Sequence, residues 1–241
     1  ELQRAYTLFR MMSSAALVKA GTTLTKLAFR WHLPIDRLVR LSVFDHFCGG
    51  INEKDSMSVV RSLDAIGVSS ILDYSVEGKE EEEQFDFTTD KVRSLIDFSR
   101  DKNSMPFAVF KPTGIGRFMV WQAVSMGKLN DALQSEWNRI KDRYSRIAQE
   151  AHDQKMMLLI DGEESWMQGA ADELCEEMMA TFNKKHPVVF NTLQCYRHDR
   201  LAYLKALHMS AKKKGFKLGF KVVRGAYMEK ENERAKAMGY V

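Results

Sequence analysis

Apolar positions in this chain follow two alternating rhythms. Five short runs, Val68–Ser75, Pro106–Thr113, Met156–Glu163, Val188–Tyr196 and Lys217–Arg224, are rich in β-branched and aromatic residues and bounded by Gly, Pro or charge. That is the pattern of buried strands. Between them the apolar residues recur three and four apart. Leu133, Trp137, Ile140, Tyr144, Ile147 and Ala151 do so across Asp131–Ala151, Leu174, Met178 and Phe182 across Ala170–Phe182, and Leu204, Leu207 and Ala211 across Leu201–Ala211. Each set lies on one helical face. Strand and helix in turn predict a parallel sheet covered by helices.

Each run also delivers polar residues at its end: Asp73, then Lys111, then Asp161 and Glu163, then Asn191 and Gln194, and finally Lys221 and Arg224 followed by Gly225 and Tyr227. In a (β/α) barrel the C-terminal strand ends build the active site. Side chains alternate along a strand, so Lys221, Val223, Gly225 and Tyr227 share one direction and Arg224 takes the other if the strand continues that far. A buried strand that ends in clustered cations calls for an anionic partner. The plainer readings are an internal ion pair of Lys111 with Asp73 or Asp161, a strand-end Gln194 that satisfies backbone groups, and a core Tyr227.

Residues 1–45 read as helical, with Leu17, Leu24, Leu27, Leu38 and Leu41 among positive charges and Pro34 interrupting. Two readings fit: helices packed on the outside of a barrel, or a basic amphipathic membrane-surface element. With 45% hydrophobic and 28% charged residues the composition is that of a folded globular chain. The net charge of +4 is scattered among acids, which gives no nucleic-acid-binding face. Three dispersed cysteines form no CxxC pair, an argument for a reducing compartment. His46 beside Cys48 is too little for a metal site, so no metal is expected. The acidic run Glu80–Glu83 reads as a solvated loop or helix start, and Lys212–Lys214 as a solvated helix end. No GxGxxG follows a strand, which argues against a Rossmann dinucleotide site. The GIG at Gly114–Gly116 reads as a flexible strand-to-helix loop. Neither Glu1 nor Val241 reads as a natural terminus.

Six ordered segments together resemble the proline dehydrogenases of the single-function, flavin-dependent type: FCGG at Phe47–Gly50, SILDYSVEG at Ser70–Gly78, FKPTG at Phe110–Gly114, IDGEESWMQ at Ile160–Gln168, FNTLQCYR at Phe190–Arg197 and KVVRGAYMEKE at Lys221–Glu231. The resemblance implies an α/β fold, a distorted (β/α)8 TIM barrel. Five of its eight strands would fall in this chain, with residues 1–45 an N-terminal helical segment packed on the barrel and 46–241 its first five β/α units. It implies FAD, oxidation of L-proline to Δ1-pyrroline-5-carboxylate by hydride transfer to the flavin, and a quinone as electron acceptor with peripheral membrane contact. The compartment would be cytoplasmic or inner-membrane in a bacterium and mitochondrial in a eukaryote.

Carried over position by position, the resemblance gives Lys111 the proline carboxylate. It makes Asp161 the hydrogen-bonding centre of the catalytic network and Tyr227 the wall against the proline ring. Gln194 would meet the flavin pyrimidine edge, Lys221 the flavin ring, and Arg224, Gly225 and Ala226 the pyrophosphate. Gly162 stands beside the flavin where the family most often has Ala. The family's sixth-strand Thr-His or Ser-His and the paired arginines of its last helix have no counterpart among these residues. A second chain, or sequence outside these residues, is therefore expected to complete the barrel. Competing expectations are a barrel aldolase with Lys111 or Lys221 as Schiff-base nucleophile, and a non-catalytic assembly subunit.

Overall fold

The computed structural model describes residues 2–74 and 78–240. The chain divides into two compact units, residues 1–62 and 63–241, so the boundary expected after residue 45 falls inside the first. That unit contains helices α1 (Leu2–Met12), α2 (Ala15–Arg30), α3 (Asp36–Val39), a π-helical turn (Arg40–Phe44), α4 (Asp45–Phe47) and most of α5 (Glu53–Asp64). Ser14 caps α2 by accepting the Leu17 N–H, and the side-chain Oδ1 of Asn52 accepts the Asp55 N–H at 2.9 Å to start α5. His46 packs edge-on against Phe9 and Phe47, at 5.3 and 5.0 Å between ring centroids. It serves there as an aromatic packing group.

The second unit alternates helix and strand: α6 (Glu82–Ser99), β1 (Phe107–Phe110), a 3-10 turn (Pro112–Gly114), α7 (Phe118–Ser125), α8 (Asp131–Asp153), β2 (Met157–Ile160), α9 (Ser165–Phe182), β3 (Val189–Gln194), α10 (Arg200–Lys214), β4 (Phe220–Val223) and α11 (Met228–Met238). The strands form one sheet in the order β1-β2-β3-β4, every pair parallel. Four of the five expected strands are there. The run Val68–Ser75 is not a strand over its described residues, and Ser75 lies outside them. Its backbone reaches its neighbours through the Ser70 N–H, bonded to the Ser104 carbonyl at 2.7 Å. A strand exists only as part of a ladder, and one such bond does not make one.

Strand order that follows chain order, with right-handed crossovers, places every connecting helix on one face of the sheet. The core agrees. Ala108, Phe110, Leu158 and Ile160 pack with Ile96, Ile140, Tyr144, Ile147, Ala170 and Cys175. The alternate positions, ending in Lys111, Asp161 and Lys221, belong to the opposite face. The helix side is thus spent on packing, and the other side is left for chemistry.

The Gly114–Gly116 segment is buried throughout, a correction to its reading as a flexible loop. A Cβ at Gly116 would lie 2.3 Å from Ile140 Cγ1, and Ile140 is itself buried in the core. Gly116→Ala is therefore expected to destabilise the protein by about 1–3 kcal/mol through overpacking, read as a lower urea midpoint at unchanged m-value.

Candidate active site

Charged side chains stand just beyond the ends of β1 and β2 and inside β4, and the sheet register aligns them. Phe110 pairs with Ile160, so the next residues, Lys111 and Asp161, stand side by side. Leu159 pairs with Phe190, which puts Asp161 level with Thr192, and Thr192 pairs with Lys221. Lys111, Asp161, Thr192 and Lys221 therefore form one row across the sheet.

Asp161 sits between the two cations. Its Oδ2 lies 3.5 Å from Lys111 Nζ, and its Oδ1 accepts a hydrogen bond from Lys221 Nζ. All three side chains are largely shielded, at 16%, 19% and 31% exposure for Lys111, Asp161 and Lys221. Two ammonium groups on one carboxylate leave the row with a net positive charge. In a shielded site that charge favours an anionic ligand.

Tyr227 follows β4 and is half-buried. Two ammonium groups lie near its ring, Lys111 Nζ 5.8 Å and Lys230 Nζ 5.1 Å from its centroid. Lys230 donates to Glu164 Oε1 at 2.6 Å. Glu231 accepts from the Ser165 N–H at 2.6 Å and from its hydroxyl at 2.7 Å, which caps the start of α9. The first turn of α11 is thereby tied to the end of β2, and Tyr227 is held over the row.

Behind the row, Glu163 is 2% exposed. Its carboxylate accepts from the Thr113 N–H at 2.9 Å and the Thr113 hydroxyl at 2.7 Å. Burial pushes its pKa up to about 7, against the Thr113 hydrogen bonds and the charge of Lys111, which pull it down. The folded protein therefore holds this proton more tightly than the unfolded chain. The resulting stability is fully present below the unfolded value near 4.5 and is lost as pH rises through about 7. The full swing is roughly 3 kcal/mol. Melting temperature should fall between pH 5 and pH 8, and Glu163→Gln should flatten that slope; an equal slope in the variant would refute the assignment.

Gln194 is fully buried. Its amide N–H2 donates to the Glu163 carbonyl at 2.6 Å and to the Tyr196 hydroxyl at 2.8 Å, and its Oε1 accepts from Arg197 at 3.0 Å. Arg197 pairs with Asp199 at 2.7 Å, and Arg200 joins Asp199 to Asp172. Burial pushes the Asp199 carboxyl up, but hydrogen bonds from Arg200 and Arg197 outweigh it and hold the pKa at about 2. Asp172 also accepts from Gln168 and Asn191, each at 2.9 Å. The Gln168 Oε1 accepts from the Glu163 N–H at 2.9 Å, which closes a circuit that starts and ends on the Glu163 backbone.

Gly162 is buried under this circuit, and a Cβ there would lie 3.1 Å from Thr192 Cγ2 and 3.2 Å from Gln194 Cδ. Arg224, Gly225 and Ala226 lie beyond the end of β4 and are exposed. Thr113, Gln168, Asp172, Thr192 and Arg197 were absent from the sequence-based set. Two signals pointed to them: Thr192 shares a strand face with Gln194, and Gln168 and Asp172 stand four apart on one helix.

A family profile described as "Proline dehydrogenase" matches residues 56–241. The chain is 36% identical over 186 residues to a carbapenem antibiotics biosynthesis protein, CarD, of Pectobacterium carotovorum subsp. carotovorum, an alignment that covers 77% of this chain and 50% of the relative. It is 26% identical over 246 residues to a mitochondrial proline dehydrogenase 1 of Dictyostelium discoideum, covering 85% of this chain and 43% of that one. The chain thus spans about half the length of these curated relatives. Its fold matches a crystal structure of proline utilization A from Bdellovibrio bacteriovorus at a TM-score of 0.63 and 16% identity, over 78% of this chain and 20% of the other.

Proposed function

The chain belongs to the proline dehydrogenase family, and from that premise we propose that it carries the core of an FAD-dependent site that oxidises L-proline to Δ1-pyrroline-5-carboxylate. The observation that carries the proposal is the shielded row Lys111–Asp161–Lys221 under Tyr227, a positive site at the C-terminal strand ends.

In this reading Lys111 binds the substrate carboxylate, and Tyr227 packs on the apolar side of the proline ring. The two ammonium groups disfavour a third positive charge nearby, so the substrate amine is held neutral and its lone pair is ready to form the C=N bond. Asp161 fixes the position of both cations. FAD, when bound, supplies the hydride acceptor.

The residues present fit such a cofactor. A Cβ at Gly225 would meet only Met228 Cε, at 3.9 Å, so the backbone there is open to close approach beside the exposed Arg224. Arg224, Gly225 and Ala226 would hold the pyrophosphate. A cavity of about 380 Å³ lined by Tyr196, Arg197, Met228, Asn232 and Arg234 would take the adenosine end. Lys221 would face the flavin ring, and Gln194 would turn its amide from Tyr196 to the pyrimidine edge above Gly162.

The sheet is read as part of a (β/α)8 barrel, supported by its sequential strand order and by Val222 of β4, 63% exposed. The remaining strands, and further groups for the proline carboxylate, would come from residues outside these 241 or from a second chain. Reoxidation by a membrane quinone is supported by α2, whose exposed Leu17 and Leu24 lie among Lys19, Lys26 and Arg30. Among the described residues no helix is long and apolar enough to cross a membrane. Mitochondrial residence would apply to a eukaryotic source, and cytoplasmic or inner-membrane residence to a bacterial one.

The deciding experiment is a visible spectrum of the purified full-length protein before and after anaerobic L-proline. Bound flavin that bleaches supports the proposal. Flavin that stays oxidised removes proline as the substrate. Absence of flavin together with borohydride trapping on Lys111 or Lys221 would replace it with aldolase chemistry, which the ion pairs of both lysines with Asp161 disfavour.

A further inference from the structure

Glu163 lies where three strand ends meet, yet it is two residues beyond Asp161 and outside the charged row. Its two carboxylate oxygens are both used on Thr113. Thr113 belongs to the turn that Lys111 opens: the Lys111 carbonyl accepts from the Gly114 N–H at 2.9 Å, and the Pro112 carbonyl from the Ile115 N–H at 3.2 Å. Holding Thr113 therefore holds the backbone of Lys111. On its other side the Glu163 carbonyl takes the Gln194 amide, and its N–H is bonded to Gln168 on α9.

A neutral amide would keep the Thr113 N–H bond through its oxygen and meet the Thr113 hydroxyl with its N–H2 as donor, at a lower desolvation cost. A carboxylate buried here, even with the charge of Lys111 nearby to offset part of the cost, is an expensive way to build a plain turn. Costs of that kind concentrate where geometry serves a site.

We propose that Glu163 is a positioning residue, which sets the backbone of the carboxylate-binding Lys111 and the orientation of the Gln194 amide as one unit. Its side chain acts on Lys111 through Thr113, and its backbone carbonyl acts on the Gln194 amide directly. The proposal rests on the proline dehydrogenase reading for the ligands it assigns to Lys111 and Gln194. The linkage between the residues themselves is independent of it.

The test uses the full-length protein and the variants Glu163→Ala, Glu163→Gln and Thr113→Val, with two readouts. The first is the rate of acetic anhydride labelling at Lys111, measured by mass spectrometry on protein shown to be folded by its melt. Labelling is expected to rise about fivefold in Glu163→Ala and about threefold in Thr113→Val, and to stay within about 1.5-fold of the parent in Glu163→Gln, as loosened positioning and isosteric rescue require. The second readout is steady-state kinetics. KM for L-proline should rise about tenfold in Glu163→Ala with a smaller fall in kcat, the signature of lost ground-state binding.

A lower melting temperature with unchanged Lys111 labelling and unchanged KM would leave Glu163 a purely structural residue and overturn the proposal. If the parent protein does not oxidise proline, the function reading fails, and labelling alone then decides the positioning claim. If Glu163→Ala does not fold, Thr113→Val against Glu163→Gln decides it by the same readout.

Discussion

On the function proposed above, Asp161→Ala is expected to lower kcat/KM for L-proline by about 10²–10³-fold, the scale set by lost positioning and electrostatic preorganisation together. The carboxylate is the shared counter-charge of Lys111, 3.5 Å away, and of Lys221. Unit charges at about 4 Å interact by about 4 kcal/mol at an effective dielectric near 20, and the partial exposure of Lys221 reduces its share. With the carboxylate gone the ammonium groups repel each other and turn to water, and the substrate carboxylate loses its fixed partner. Asp161→Asn keeps an acceptor oxygen and should fall between the two. Flavin content and melting temperature need to be followed beside kcat and KM, because the claim is a loss of catalysis in folded protein. Activity within twofold of the parent would remove Asp161 from the centre of the site.

Asp172→Ala should give the largest loss of stability, about 3–5 kcal/mol, the range for breaking a buried ion pair from one side. Asp172 is buried and accepts from Arg200 at 2.6 Å and from Gln168 and Asn191 at 2.9 Å. Its removal leaves the shielded Arg200 guanidinium with Asp199 alone, the Asn191 amide with Tyr203 alone, and the Gln168 amide donor without Asp172, the costly half of the hydrogen-bond asymmetry. Urea unfolding measures it. Arg200→Met in the same background should return part of the loss, since the guanidinium nitrogen left facing the vacated Asp172 position goes too, and the double-mutant cycle gives the coupling. A loss under about 1 kcal/mol would mean that water satisfies the network. Gln168 bonds the Glu163 backbone, so the variant should also disturb the site from a distance.

The helices were the most legible part of the chain. Leu133, Trp137, Ile140, Tyr144 and Ile147 recur at helical spacing, and all five lie on α8, with the last four buried. Four strands were legible for a related reason, as short apolar runs between breakers. The run at Val68 carries the same local signal without becoming a strand over its described residues, because strand formation needs a ladder and this run reaches its neighbour through the Ser70 N–H to the Ser104 carbonyl. Gly114–Gly116 misled in the other direction. Glycine reads locally as freedom, while at Gly116 it makes room for Ile140.

Local pattern and side-chain chemistry were enough to establish the alternating α/β order, the helix-facing residues, the strand-end positions of Lys111, Asp161 and Gln194, and the place of Lys221 in a strand. These depend on periods of two and about 3.6 residues, which each segment carries within itself. Which of those strand ends touch was decided by the fold. The pairing of Asp161 with both lysines follows from sheet register. The clamp of Glu163 on Thr113 spans 50 residues, and the bond of Glu231 to Ser165 spans 66. Contacts of that range arise only once the sheet has brought strand ends together, because no local propensity encodes a partner so far along the chain.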